Sequence, residues 1–572
     1  MTNFEIRSIP FDRENLSVWS PLDQRHSNWP VVYMLHDRTQ IYVGETLNAE
    51  ARLKQHLDVA ERSLLDEALV IIDESYNKSV CLDLESHLIR LFSGDGVFSV
   101  LNRNIGITDA DYFERSHYQG RFAEVFEELR SQGLFSRSVP EIENSDLFKY
   151  SPYKALSQDQ AIAVEEILEA LFENVQVGTR SMSVIQGEPG TGKTVIGIFM
   201  LKLLRDIANH RSQDFIDEDA LFSGLFTTKF ADLAREMKIG LVIPQQSLRE
   251  SVQQVFKRTP GLSDRAVRVM SAFEVGASSE LFDLIVVDEA HRLGQRANQS
   301  SAALNRKFSD INLQIFGDDD PSHDQLDWIK AKSEHQILLL DTEQSVRPAD
   351  LPLELTYQLI QSAKAEKRWH PLHSQMRLRA SGDYVNYVRQ VLAGLQATRE
   401  SFADYDLRFF DDANEMYQEL ESREKEFGLC RLIAGYAWEW RSRKNPNQFD
   451  FEFDGLKLRW NSTTRDWVTS PNAFHEVGSI HTIQGYDLNY AGVIIGSDLV
   501  FDAETSLIKI DRSSYFDAKG KENNRVLGLR YSDDDLLRYI TNIYGVLLTR
   551  GIRGTYIHVR DPELRRFLKQ FF

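Results

Sequence analysis

One stretch of eight residues constrains this chain more than any other. Gly187-Glu188-Pro189-Gly190-Thr191-Gly192-Lys193-Thr194 fits the pattern G-x-x-x-x-G-K-T, with the run SVIQ before it and TVIGIFMLKLLRDI after it. A glycine-rich turn between a strand and a helix can wrap phosphates in backbone N–H groups, and the helix N-terminus adds a favourable field. Gly187, Gly190 and Gly192 are expected to shape that cradle for ATP, Lys193 to reach the β- and γ-phosphates, and Thr194 to hold Mg2+. Such a turn commits its surroundings to an α/β fold. From residue 151 onward the pattern agrees: SMSVIQG, IGLVIP, DLIVVDEA, NLQIFGD, CRLIAGY, YAGVIIG and GTYIHV read as strands separated by helical stretches. Apolar strands alternating with helices predict parallel sheets covered on both faces. Two such blocks are expected, 151–348 and 349–572, the second with an insertion at about 365–470.

A second signature follows downstream. Asp283-Leu284-Ile285-Val286-Val287-Asp288-Glu289-Ala290-His291 reads as a buried strand ending in acids. Carboxylates at the C-terminal end of a strand sit where α/β sheets bind ligands. Asp288 is expected to act on Mg2+, and Glu289 to orient or deprotonate an attacking water.

Length and composition narrow the remaining possibilities. At roughly 150 residues per domain, 572 residues predict three or four domains. The apolar runs, such as Val195–Leu201, fall short of the ~18–20 residues that span a bilayer, so no membrane association is expected. The opening MTNFEIRSIPFDREN has no apolar core behind a basic patch, unlike a signal peptide. Cys81 and Cys430 make neither a disulfide framework nor a zinc site, which fits a reduced, cytoplasmic setting. The 66 basic against 86 acidic residues give a net charge of −20. That argues against coating nucleic acid by bulk attraction and predicts a confined, salt-sensitive contact.

In order, these motifs resemble those of superfamily 1 helicase-like ATPases over residues 151–572, and of the Schlafen-type DNA/RNA helicase domains in particular. Leu156-Ser157-Gln158-Asp159-Gln160 resembles the adenine-reading segment, which implies that Gln160 contacts the base. Leu241-Val242-Ile243-Pro244 resembles the strand that approaches the nucleic-acid backbone. Phe316-Gly317-Asp318-Asp319, followed by Gln325, resembles the coupling motif, although the usual Gly-Asp to Gln spacing is shorter. Ser345-Val346-Arg347-Pro348 resembles the fourth motif, whose arginine senses the γ-phosphate. Residues 479–487, including Gln484 and Gly485, resemble the fifth. Leu547-Leu548-Thr549-Arg550-Gly551 resembles the sixth, which implies an arginine finger at Arg550. A planar guanidinium suits charge spreading over a γ-phosphate. Trp438, Trp440, Arg441, Arg443, Lys444 and Trp460 fit either a single-strand stacking surface or core tryptophans with a basic flank.

The N-terminal 108 residues carry a separate pattern. Val31-Val32-Tyr33 begins one strand and Tyr42-Val43-Gly44 lies on another; Arg52 and His56 are four apart, on one helical face. Glu85 lies on the amphipathic stretch DLESHLI, and Leu101-Asn102-Arg103 closes the zone. Together these resemble the GIY-YIG nuclease domain across residues 30–104, with Val31-Val32 where the family often has Gly-Ile. The resemblance implies that Glu85 binds Mg2+ or Mn2+, that Arg52 holds the scissile phosphate, and that Tyr33 is the general base. It further implies that His56 assists by proton relay or hydrogen bonding and that Tyr42 positions water or phosphate. Lys54 and Arg103 could add backbone contacts. With ten basic and sixteen acidic side chains in residues 1–108, weak DNA binding by this domain alone is expected.

The expected architecture is therefore a small α/β GIY-YIG nuclease domain (1–108), a helical linker (109–150) and two RecA-like parallel-sheet P-loop domains. The expected activity is ATP-dependent nucleic-acid cleavage, with DNA favoured over RNA, in a setting that resembles bacterial anti-phage effectors. An ATP-gated sensor or repair remodeller whose N-terminal domain binds without cutting stays open. Protein partners and oligomeric state are not readable from the sequence.

Overall fold

Strand alternation sets the N-terminal sheet. The computed structural model describes residues 4–59, 62–103, 111–211, 221–262, 267–296, 299, 301–342, 344, 346–374, 383–395, 398–463, 467–483 and 486–572. Gln484 and Gly485 lie outside the described residues. The chain divides into two compact units: Met1–Glu173 with Val195–Met237 and Ser251–Val267, and Asn174–Thr194 with Lys238–Glu250 and Arg268–Phe572.

In the first unit, strands β1 (Phe4–Pro10), β2 (Val31–His36), β3 (Gln40–Thr46), β4 (Glu67–Asp73) and β5 (Ser99–Val100) form a sheet in the order β1-β4-β2-β3-β5. Every pairing is antiparallel except β3 with β5. Successive side chains point to opposite faces. Val32, Met34, Val43 and Ile71 pack on one face with the helix Lys78–Asp95. Val31, Tyr33, Leu35, Tyr42 and Val70 pack on the other with Trp19, Ala49 and Leu53.

The stretch 109–150 is not a bare linker. Phe122, Val125, Phe126 and Leu129 recur at helical spacing on Arg115–Ser131 and join the core that contains Val32 and Leu88. Burying each such side chain contributes about 1.5–3 kcal/mol. Phe135 stacks on Phe92 at 4.2 Å, and Asp95 accepts hydrogen bonds from the backbone and hydroxyl of Ser136. This segment therefore belongs to the N-terminal body.

The two larger sheets have the expected parallel character, except that β14 (Phe451–Phe453) pairs antiparallel with β15 (Leu456–Trp460) at one edge. β6 (Ser181–Gly187), β7 (Ile239–Val242), β8 (Val267–Met270), β9 (Phe282–Val287), β10 (Ser333–Leu340) and β11 (Trp369–Leu372) are ordered β11-β6-β10-β9-β7-β8. Because β11 pairs in parallel with β6, the first sheet draws in chain beyond the split expected at Pro348. β12 (Asp406–Phe409), β13 (Cys430–Ala434), β14 (Phe451–Phe453), β15 (Leu456–Trp460), β16 (Glu476–Ser479), β17 (Leu488–Ile495) and β20 (Gly551–Val559) form the next sheet, ordered β12-β20-β17-β13-β16-β15-β14. β18 (Leu499–Asp502) and β19 (Leu507–Ile510) make a separate hairpin. The described residues of 365–470 thus supply strands to both large sheets. Trp460 is fully buried at 4.7 Å from Phe451, a core tryptophan, whereas Trp438, 4.6 Å from Phe451, and Trp440 are partly buried against the same cluster.

One expected strand is a helix. NLQIFGD ends the helix Ala302–Phe316, which stops at Gly317 with φ of 85°. The strand that lies between β6 and β9 is β10. Among the described residues, no helix is long and apolar enough to cross a membrane.

Candidate active sites

The phosphate loop leaves β6 and ends where Lys193 begins the helix Lys193–Ala208. Gly190 and Gly192 hold φ of 88° and 79°, a left-handed backbone that costs other residues roughly 1–2 kcal/mol. Lys193 is buried. Its Nζ donates to the carbonyls of Gly187 (2.6 Å) and Glu188 (2.9 Å) and to Asp341 Oδ2 (3.3 Å). Thr194 Oγ1 donates to Asp288 Oδ2 at 2.7 Å, joining the loop to the end of β9. Arg389, from the helix Tyr384–Leu392, donates to Glu188 Oε1 at 2.7 Å and lies 4.0 Å from Asp341 Oδ1.

Asp288 and Glu289 are adjacent, and their surroundings shift them in opposite directions. Burial, then the charge of Glu289, pushes Asp288 up to about 7, against its bond from Thr194 and the charge of Lys193. Burial also acts on Glu289, yet hydrogen bonding and charge from His291, with Lys193 and Arg292, hold it well below the usual carboxylate range. His291 Nε2 lies 3.1 Å from Glu289 Oε2. Glu289 also sits in the left-handed region, with φ of 49°, strain of the kind stored at functional sites. The Thr194 hydroxyl beside the Asp288 carboxylate is a hard-oxygen donor pair that fits Mg2+.

A hydrogen-bonded chain reaches the loop from the far end of the sequence. Arg550 is buried and donates through Nη2 to Gln344 Oε1 at 3.3 Å. Gln344 Nε2 donates to Asp341 Oδ2 at 2.7 Å, and Asp341 faces Lys193. Arg347 points elsewhere, donating to His481 Nδ1 at 2.9 Å. Burial first, and the charge of Arg347, lower His481 to about 4, so its neutral ring can accept.

The N-terminal cluster is assembled from two strands and two helices. Tyr33 comes from β2, Tyr42 from β3, Arg52 and His56 from Ala49–His56, and Glu85 from Lys78–Asp95. The Tyr33 hydroxyl lies 2.6 Å from His56 Nε2. The rings of Tyr33 and Tyr42 are 6.2 Å apart, and the charge of Arg52 acts on both tyrosines. Burial, then Tyr42, raises Tyr33 well above an ordinary phenol, with Arg52 opposing. Burial, then Glu45, pushes Glu85 up to about 8 against Arg52 and Lys78. Burial, then Arg62 and Arg52, lowers His56 to about 2. A carboxyl held this high by burial and a neighbouring acid is complemented by a cation. No group of three or more His, Cys, Asp or Glu poised for a metal occurs among the described residues. Glu85 is a hard-oxygen donor of the kind divalent ions such as Mg2+ take.

Two residues hold this cluster in register. Asn102 accepts from the Val43 N–H at 3.1 Å and donates to the Val43 carbonyl at 2.7 Å, which pins β3. Lys54 is spent on an ion pair with Glu50 at 2.7 Å. Gly44 stands opposite Tyr33 in the β2–β3 register, and a Cβ there would lie 2.4 Å from the Tyr33 hydroxyl. Gly44→Ala is expected to push the ring aside and lower any cutting rate about 10²-fold, the scale of a 1 Å misplacement. ATP hydrolysis should stay at the wild-type level. Steady-state kinetics of both reactions on one preparation would check this.

Residues 180–561 match the family described as Schlafen group 3, DNA/RNA helicase domain. The chain belongs to this family. An uncharacterized protein of Saccharomyces cerevisiae is 27% identical over 415 residues, covering 68% of this chain and 84% of that protein. The crystal structure of arterivirus nonstructural protein 10, a helicase, is similar at 12% identity and a TM-score of 0.29, over 70% of this chain. The chain spans 64% of that protein's length. A structure of Saccharomyces cerevisiae Dbp5 bound to RNA and ADP with beryllium fluoride is similar at 11% identity and a TM-score of 0.31, over 73% of this chain and 92% of that one.

Within the Schlafen group 3 match, the structure brings together Lys193, Thr194, Asp288, Glu289 and Arg550 with two residues the motifs did not single out, Asp341 and Gln344. Gln325 is used differently: its Oε1 accepts from the Gly294 N–H at 2.8 Å, holding the loop after the acidic box. Asp319 likewise serves structure, accepting from Arg296, Ser309 and Asn312. Asp341 and Gln344 follow β10, whose C-terminal end lies beside those of β6 and β9, where a parallel sheet places ligands. Their Asp-x-x-Gln spacing was the available signal. Gln160 is buried and accepts from the Ser157 N–H at 3.0 Å. The N-terminal cluster lies outside the matched residues.

Proposed function

We propose that this helicase-like, nucleic-acid-processing ATPase carries a metal-dependent GIY-YIG-type nuclease at its N-terminus, and that ATP turnover delivers DNA to it. The observation that carries the reading is the convergence of Tyr33, Tyr42, Arg52, His56 and Glu85 from four separate elements onto one site. A divalent ion, when bound at Glu85, supplies polarisation of the phosphate and stabilisation of the leaving oxygen. Arg52 holds the scissile phosphate and, through its positive charge beside both tyrosines, lowers the cost of a phenolate. Tyr33, as the phenolate formed when its hydroxyl proton has passed to solvent, takes a proton from the attacking water at its phenolic oxygen, and Tyr42 keeps that water in line.

In the ATPase, Lys193 exchanges its carbonyl and Asp341 contacts for the β- and γ-phosphates, with Thr194 and Asp288 placed to hold Mg2+. Glu289, charged and fixed by His291, orients the attacking water. Arg550 meets the γ-phosphate, and Gln344 transmits its position to Asp341 and Lys193. Arg347 acts through His481, and Gln160 reads the base. DNA is favoured because most nucleases of the resembled family cut DNA. The fusion resembles bacterial restriction and anti-phage effectors, so a cytoplasmic role in defence against phage is the proposed setting, by analogy of architecture.

The test is a substrate panel of supercoiled plasmid, single-stranded DNA and RNA with Mg2+ or Mn2+, scoring cutting and stimulated ATP hydrolysis together. Cutting of DNA supports the reading. Cutting confined to RNA moves the substrate class. Nucleic-acid-stimulated hydrolysis with no cutting in any condition leaves a remodeller or sensor.

A further inference from the structure

Arg62 lies six residues beyond His56, past the end of the helix Ala49–His56. Its Nη1 is 2.7 Å from His56 Nδ1, and its guanidinium carbon sits 3.9 Å over the Tyr42 ring. A guanidinium has donors only. Nδ1 therefore accepts, and the single proton of the neutral imidazole sits on Nε2. That nitrogen is 2.6 Å from the Tyr33 hydroxyl, so His56 donates to the Tyr33 oxygen. A relay in which His56 draws the proton off Tyr33 is closed at both nitrogens: one already carries a proton and the other is covered by a cation. The charged groups acting on His56 are Arg62 and Arg52, with no acid among them, which keeps the ring neutral.

We propose that Arg62 is a positioning residue that locks His56 as the Nε2–H tautomer, making it a hydrogen-bond donor that stabilises the Tyr33 phenolate. When Tyr33 loses its proton to solvent, the oxygen then meets the His56 Nε2–H donor and the nearby positive charge of Arg52. The consequence for cutting rests on the nuclease reading above; the tautomer does not. Of the two roles expected for His56, proton relay or hydrogen bonding, the proposal selects the second.

The test uses the full chain with 15N-labelled histidine, in which the His56 signals are assigned by their loss in His56→Gln. Long-range 1H–15N correlation at neutral pH should show Nδ1 unprotonated and Nε2 protonated. Arg62→Met keeps bulk but cannot donate, and should yield the Nδ1–H form or a mixture. Arg62→Gln can donate and should restore the wild-type pattern. Cutting by Arg62→Met should fall about 10²-fold in kcat, short of the roughly 10⁴-fold cost of a wrong tautomer in a catalytic triad, with KM for DNA little changed and recovery in Arg62→Gln. An Nδ1–H wild type, or an Arg62→Met protein that keeps Nε2–H, overturns the proposal. Equal cutting by wild type and Arg62→Met despite a changed tautomer overturns its catalytic half. The expected tautomers with no cutting by the wild type would sink the nuclease reading and leave the lock standing.

Discussion

Lys193→Ala is expected to reduce ATP hydrolysis by about 10²–10³-fold or to background, the cost of deleting one preorganised donor at a developing charge. The physical basis is the burial of Lys193 and its position between two loop carbonyls and Asp341. Its ammonium already meets three oxygen acceptors, which phosphate oxygens can replace in kind. Deleting the ammonium also leaves the Asp341 carboxylate short of a partner. Removing one member of a buried pair typically costs about 3–5 kcal/mol. Here the loss should be smaller, because Gln344 donates to the same carboxylate and Arg389 stands 4.0 Å away. Tm of Lys193→Ala beside Lys193→Ala/Asp341→Asn separates the two effects: the second change should recover stability and leave hydrolysis lost. Normal turnover by Lys193→Ala would remove the phosphate-loop assignment.

Glu85→Ala carries the second large effect. If Glu85 holds the ion, its loss removes several kcal/mol of charge stabilisation, or about 10³-fold in rate at 1.36 kcal/mol per decade. ATP hydrolysis should be unaffected, since Glu85 belongs to a core built from the N-terminal strands and their helices. Glu85→Gln should be as inactive as Glu85→Ala, because the amide keeps the shape but not the charge. Cutting by either variant at the wild-type rate would place the metal elsewhere. Both rates are read from plasmid nicking at saturating Mg2+.

The legibility of these sites in the sequence was uneven, for identifiable reasons. The phosphate loop and β9 were plain because glycines or acids followed directly on an apolar strand. NLQIFGD misled because its apolar residues fit either period; the informative residue was Gly317, a left-handed helix terminator. The same stretch carries the resemblance that points to Gln325, whose side chain instead accepts from the Gly294 N–H. Gln344 follows β10 by four residues, but the long apolar run ILLL drew no attention to the Asp-x-x-Gln at its end. The segment 109–150 read as polar because Phe122, Val125, Phe126 and Leu129 are diluted by charged neighbours, although their spacing marks one buried face. Arg62 had no motif to announce it. It lies outside the helix that carries Arg52 and His56, and only the fold brings it to Nδ1. The tyrosines, Arg52, His56 and Glu85 were legible as a set, whereas the reason for Gly44, close approach of the Tyr33 ring across two strands, emerges only from the pairing.

The most direct test of the central claim is plasmid cleavage in Mg2+ by wild type, Glu85→Ala and Lys193→Ala, with and without ATP, following hydrolysis in the same reactions. The account predicts that wild type cuts only with ATP, that Glu85→Ala hydrolyses ATP without cutting, and that Lys193→Ala does neither. Undiminished cutting by Glu85→Ala would contradict the nuclease assignment, and wild-type cutting by Lys193→Ala would contradict the coupling of cleavage to ATP.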